Sequence, residues 1–293
     1  MGVEISDQVW GVTGQLCPFS FSGAVRASFV GVSGFEVYFD DSYDYPIKDL
    51  SLAVLVQASA GESVSATGTL HMSNGGNNQV NPWSKVIMTT LAWVGENPSK
   101  SVVFAPRNGI QVPSDSPEIQ VGGTAPAVAA SALTGFDLVY ADEHCVHQLT
   151  LVTGQTVSTD ENIARLNVDA TLLDASGNGA TTKSVSAGFL GFLPSAGVEA
   201  QVITVTDSAK RAEPIAVTFS KPVKSAAALL SGFDLSRTDH NDMNVSKIVV
   251  RTFADIKGKG ATVNVDGWAR ITGHEADSDV LEGSMTVLVL ATF

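Results

Sequence analysis

Apolar and polar side chains alternate in short runs along this chain. Leu50 to Val56 reads Leu-Ser-Leu-Ala-Val-Leu-Val, and Leu149 to Val152 and Ile248 to Val250 are shorter runs of the same kind. Alternation with a period of two places successive side chains on opposite faces of an extended backbone, as a half-buried strand requires. The run Met285 to Leu290 is apolar on both faces, with Met285, Val287 and Val289 on one side and Leu288, Leu290 and Thr286 on the other. Such a strand is expected to cover a core with one face and to leave the other to meet a partner. These runs have strand length and are too short to cross a bilayer.

A short phrase recurs three times, as Ser33-Gly34-Phe35-Glu36-Val37, Thr134-Gly135-Phe136-Asp137-Leu138 and Ser231-Gly232-Phe233-Asp234-Leu235. Its glycines are spaced by 101 (135 − 34) and 97 (232 − 135) positions. Each phrase ends a small apolar run: Ala24 to Val32, Ala127 to Leu133, Ser225 to Leu230. Acidic positions follow in each copy: Asp40, Asp41 and Asp44; Asp142 and Glu143; Asp239 and Asp242. The alternating strand comes next. An apolar run ending in Gly-Phe reads as a core strand leaving its sheet at a tight point, and the acidic stretch as a solvated loop. The sequence therefore predicts an all-β chain of three tandem antiparallel β-sandwiches, able to pack side by side as a pseudo-trimer. Pro, Ser and Gly clusters divide it into 1–97 (an N-terminal arm and the first copy), 98–196 and 197–293.

Composition agrees with many short strands, since 44% of residues are hydrophobic and only 16% charged, with 27 Gly and 11 Pro. The formal charge of −13 leaves no basic stripe for phosphates, so neither nucleic acid nor an anionic membrane is an expected partner. No basic and apolar leader opens the sequence, and Cys17 and Cys145 do not make a disulfide scaffold. Synthesis in a reducing cytoplasm is the expectation.

The last copy resembles the H-type lectin domain, the six-stranded sandwich of snail agglutinins and of the C-terminal domain of discoidins. The residues that carry the resemblance begin at Val217-Thr218-Phe219-Ser220-Lys221-Pro222 and continue through Ala226 to Leu230 and Gly232-Phe233-Asp234. Lys247 to Arg251, the Gly260-to-Trp268 strand and Met285 to Ala291 follow in the family's order. The resemblance implies trimerisation and a sugar held between protomers by an acidic residue, an arginine and groups near the tryptophan. Carried over, it implies Asp234, Lys247, Trp268, Arg270 and His274 as carbohydrate-binding residues for glycans of the galactose or N-acetylgalactosamine type. Lys247 stands where the family has arginine and lacks its planar fork, and Ala269 follows Trp268 where a polar ring is usual.

Other chemistry finds little footing. His144-Cys145-Val146-His147 is short of ligands for a soft metal, and the Asp clusters lack a calcium-loop pattern. Gly177-Asn178-Gly179 and Gly258-Lys259-Gly260 complete neither a dinucleotide fingerprint nor a phosphate loop, and no Gly-x-Ser-x-Gly elbow occurs. No catalytic residue, metal or cofactor is expected. The composition, rich in Ala, Val, Thr and Ser with five His, resembles that of tailed-phage virion structural proteins. The expected function is a non-enzymatic structural or recognition protein on a virion or tail, with self-association or other assembly proteins as partners and host-surface adhesion as its task. The other reading is a soluble lectin.

Overall fold

The computed structural model describes all residues except 1, 40–42, 77, 97, 99, 100, 114, 115, 123, 159, 208–212, 238–240, 257, 259 and 274–279. The described chain is all-β. Residues 1–97 hold β1 (Gly2–Ile5), β2 (Val9–Val12), β3 (Leu16–Ser20), β4 (Val25–Tyr38), β5 (Ile47–Ala60), β6 (Ser63–Ser73) and β7 (Lys85–Val94). Residues 98–196 hold β8 (Val102–Gln111), β9 (Glu118–Gln120), β10 (Val128–His144), β11 (Gln148–Ser158), β12 (Ile163–Leu173) and β13 (Thr182–Phe192). The rest forms β14 (Val198–Thr206), β15 (Ile215–Thr218), β16 (Ser225–Ser236), β17 (Lys247–Ile256), β18 (Thr262–Thr272), β19 (Val280–Glu282) and β20 (Ser284–Thr292).

These strands build three antiparallel sheets. The first runs β1-β7-β4-β17-β18-β15, with β2 also on β7 and β19 on β18. The second runs β3-β6-β5-β10-β13-β8, and the third β14-β20-β16-β11-β12-β9. Every sheet thus takes one half from one stretch of chain and the other half from another. The seams are β4–β17, β5–β10 and β11–β16. Within each stretch the two halves face one another across an apolar layer. A side chain at Gly68 on β6 would strike Val86 on β7, and one at Gly267 on β18 would strike Met285 on β20. On their other faces the halves carrying β4, β10 and β16 meet in a core that all three sheets share, with Phe29, Trp93, Ala132, Phe192, Leu229 and Leu288.

The recurrent phrase sits at the same place in each sheet. Register shifts between Val32 and Gly34, Leu133 and Gly135, and Leu230 and Gly232 make Ser33, Thr134 and Ser231 the extra residues of three β-bulges. The strand does not leave its sheet here, as the sequence led us to expect; it bends and gains a new neighbour across the seam. That neighbour comes close enough to require glycine. A Cβ on Gly135 would lie 2.3 Å from the Leu52 carbonyl oxygen, and one on Gly232 2.4 Å from that of Leu151. Phe35, Phe136 and Phe233 then turn inward and are buried. Their rings meet pairwise, with centroids 5.7, 5.8 and 6.3 Å apart.

Two expectations are refined. Asp142 and Glu143 lie on the extended end of β10 and not in a loop. Asp40, Asp41 and Asp239 lie outside the described residues. In β20, Met285, Val287 and Val289 join the main core, while Leu288 and Leu290 join the core shared by the three sheets. The second apolar face is therefore covered by the chain itself.

Candidate binding site on the outer face of the first sheet

Alternation along β17 and β18 decides which side chains leave the core. Ile248, Val250, Val263, Val265, Ala269 and Ile271 point inward and are buried. Lys247, Val249, Arg251, Trp268, Arg270 and Thr272 take the outer face. The register sets them in rows across the seam: Tyr38, Lys247 and Thr272; Glu36, Val249 and Arg270; Gly34, Arg251 and Trp268. Same-face neighbours at this spacing touch directly or diagonally.

Together Glu36, Lys247, Val249, Arg251, Trp268, Arg270 and Thr272 line an open hollow of about 250 Å³. Arg251 dominates it. One end donates to Glu36, and the guanidinium lies 4.4 Å from the Trp268 ring centroid, with Trp10 and Phe253 at 5.4 and 5.6 Å. Its Nε is buried without a hydrogen-bond partner among the described residues. Phe253 in turn stacks on Trp10 at 6.0 Å and meets Trp268 edge-on at 5.6 Å. A cation pressed between aromatic faces is held in one orientation. Lys247 Nζ reaches the same Glu36 carboxylate at 3.5 Å.

Arg270 is fixed from behind. Its Nε and Nη2 each donate to the Asp207 carboxylate at 2.8 Å, and that carboxylate also accepts the Ala269 backbone N–H at 3.1 Å. The hydrogen bond to Asp207 raises the Arg270 pKa, so its charge is constant. The lining carries three cations and one carboxylate, in a chain whose formal charge is −13. Fixed donors, one acceptor and an aromatic wall around a small open space can bind a polar ligand of sugar size.

Of the residues singled out by sequence, Lys247, Trp268 and Arg270 come together here. Asp234 does not; it lies on β16 in the third sheet, paired with Thr150, and its carboxylate accepts from Ser236. Lys247 accordingly pairs with Glu36 and not with Asp234. His274 falls outside the described residues. Glu36, Arg251, Thr272 and Asp207 were not foreseen. A signal for Glu36 existed: it follows Gly34 by two positions, as Asp234 follows Gly232.

The His/Cys cluster disperses. His144 Nδ1 contacts Asp174 Oδ2 at 2.9 Å, the Cys145 thiol donates to Asn244 Oδ1 at 3.0 Å, and His147 Nδ1 faces the Asn241 carbonyl at 3.1 Å. No metal-holding group of three such side chains occurs among the described residues. Burial, and then the charge of Asp242, push the Cys145 thiol pKa up, which works against a reactive thiolate. No described helix is long and apolar enough to cross a membrane. Comparison with family models, curated proteins and solved structures finds no match to this chain.

Proposed function

We propose that this protein is a non-enzymatic recognition protein that binds glycans at the hollow on its first sheet. The observation that carries the reading is the meeting of Glu36 from one stretch of chain with Lys247, Arg251 and Trp268 from another, across the β4–β17 seam. Sugars offer adjacent hydroxyls, each both donor and acceptor, and an apolar C–H face. Glu36 supplies acceptors, Lys247 and Arg251 supply donors, and Trp268 supplies an apolar surface. An acid from one unit facing basic and aromatic groups of the next also fits the resemblance to H-type lectins, and so points to galactose-like or N-acetylgalactosamine-bearing glycans. The composition supports a place on an assembled particle, such as a virion or phage tail, where glycan binding serves adhesion.

Titration calorimetry with galactose and N-acetylgalactosamine tests this. Binding should be detectable with wild type and fall by about tenfold or more in Arg251→Ala and Glu36→Gln. No binding of either sugar, or binding that both variants retain, would overturn the assignment.

A further inference from the structure

We propose that the glycan taken by the hollow on the first sheet carries a negative charge, as a carboxylate or a sulfate ester. This rests on the glycan reading above and adds a charge to it. Val249 forms the floor, with Glu36 across from it on β4 and Arg270 across from it on β18. Lys247 and Arg251 lie two positions to either side of Val249 along β17, on the same face, and Trp268 and Thr272 flank Arg270 in the same way. Six side chains thus ring one apolar residue, and three of them are the cations Lys247, Arg251 and Arg270.

The charges of this ring are not balanced by contact. Lys247 and Arg251 share the single carboxylate of Glu36, which leaves one positive charge of the pair unmatched. Arg270 is neutralised by Asp207, but from behind: the Asp207 side chain is 1% exposed and that of Arg270 30%. Two more carboxylates stand nearby. Glu282 faces Arg270 from β19 and Asp266 faces Phe253 from β18, and neither lines the hollow. Lys85, across from Glu36 on β7, adds a cation on the other side.

Donors are left over as well. Arg251 uses Nη1 on Glu36, and its Nη2 donates to no described residue. Arg270 uses Nε and Nη2 on Asp207, which leaves Nη1. Lys247 carries three donor protons and makes one contact, with Glu36 at 3.5 Å. Gly34, across from Arg251, has no side chain and leaves that corner open. A neutral sugar answers such donors with hydroxyls, whereas a hydrogen bond between charged partners is shorter and about twice as strong. An anionic group on the Arg270 side of Val249 faces the spare donors, and Glu36 on the opposite side accepts from the ring hydroxyls.

Titration calorimetry on the full chain tests this with galactose, galacturonate and galactose 6-sulfate, which differ only at the sixth carbon, and with inorganic sulfate. At least one acidic sugar should bind about tenfold or more tighter than galactose, and the margin should shrink as salt rises. Which of the two binds tighter separates a carboxylate from a sulfate. Lys247→Gln keeps a donor and removes the charge. It should weaken the favoured acidic sugar by about fivefold or more and galactose by no more than about twofold. Equal binding of galactose and both acidic sugars, or a margin that Lys247→Gln leaves intact, overturns this inference and leaves the glycan reading standing. No binding of any of the three sugars overturns both. Inorganic sulfate bound as tightly as the favoured acidic sugar means an adventitious ion only, and overturns the inference too.

Discussion

Phe35 and Phe136 belong to different sheets and lie 101 positions apart in sequence, yet their rings pack at 5.7 Å. Phe233 closes the triangle. Three stretches of chain are thereby tied at one point, so loss of one ring is felt in all three sheets. Phe233→Ala should destabilise the full chain by about 3–5 kcal/mol, the usual result of truncating a buried Phe. Urea denaturation should show one shifted transition. An unshifted midpoint, or a separate early transition confined to the last third, would show that the sheets are not coupled through this cluster. The full chain is the right object, because β16 and β17 pair with strands from the other two stretches.

The seam glycines make a sharper test of the close approach. Gly232→Ala drives a methyl group against the Leu151 carbonyl and should cost about 1–3 kcal/mol. Gly154→Ala, on the facing strand, meets nothing nearer than 4.0 Å and should be within about 0.5 kcal/mol of wild type. Equal losses in the two variants would mean that generic strand effects, not the seam, govern this position.

Bulge hydroxyls should differ according to their partners. Ser231 donates to the Ser131 carbonyl and its own carbonyl accepts from Thr153, so Ser231→Ala removes a buried bond and should cost about 1–2 kcal/mol. Thr134→Val removes a hydroxyl without a partner among the described residues and should be neutral or slightly stabilising. Thermal melts of the two variants decide it, and a loss in Thr134→Val comparable to that in Ser231→Ala would contradict the contrast.

Asp174 makes stability depend on acid. Burial raises its pKa, but hydrogen bonds from the side chain and backbone of Asn178 and from His144 outweigh this and hold it below the ordinary 3.8. A carboxyl whose pKa is depressed on folding stabilises the folded state when ionised. That contribution is complete above the ordinary value of 3.8 and is lost as pH falls through the lower, folded value. Stability of wild type should therefore drop more steeply below about pH 4 than that of Asp174→Asn. Parallel pH profiles in urea titrations would show that the pairing contributes nothing.

The sequence by itself determined the strands, the bulge-bearing phrase and part of the binding face. Period-two alternation is local, so Trp268 and Arg270 had to share a face, and the β17–β18 hairpin had to bring Lys247 beside them. The burial of Phe35, Phe136 and Phe233 was legible for the same reason, since each follows an apolar run and a glycine. Only the tertiary structure decided which carboxylate completes the site. Asp234 and Glu36 occupy the same place in their phrases, and Asp234 is nearer to Lys247 in sequence. Glu36 wins because β17 pairs across the seam with β4, 211 positions away from Lys247 at the contact, while β16 pairs with β11. Asp207, just past the end of β14 in the third sheet, reaches Arg270 on β18 of the first sheet from within the same stretch of chain, 63 positions away. Alternation fixes the face a side chain takes, but any strand edge can hydrogen-bond to any other. The choice of neighbour rests on how three bent sheets close around a shared core, and that is a property of the whole chain.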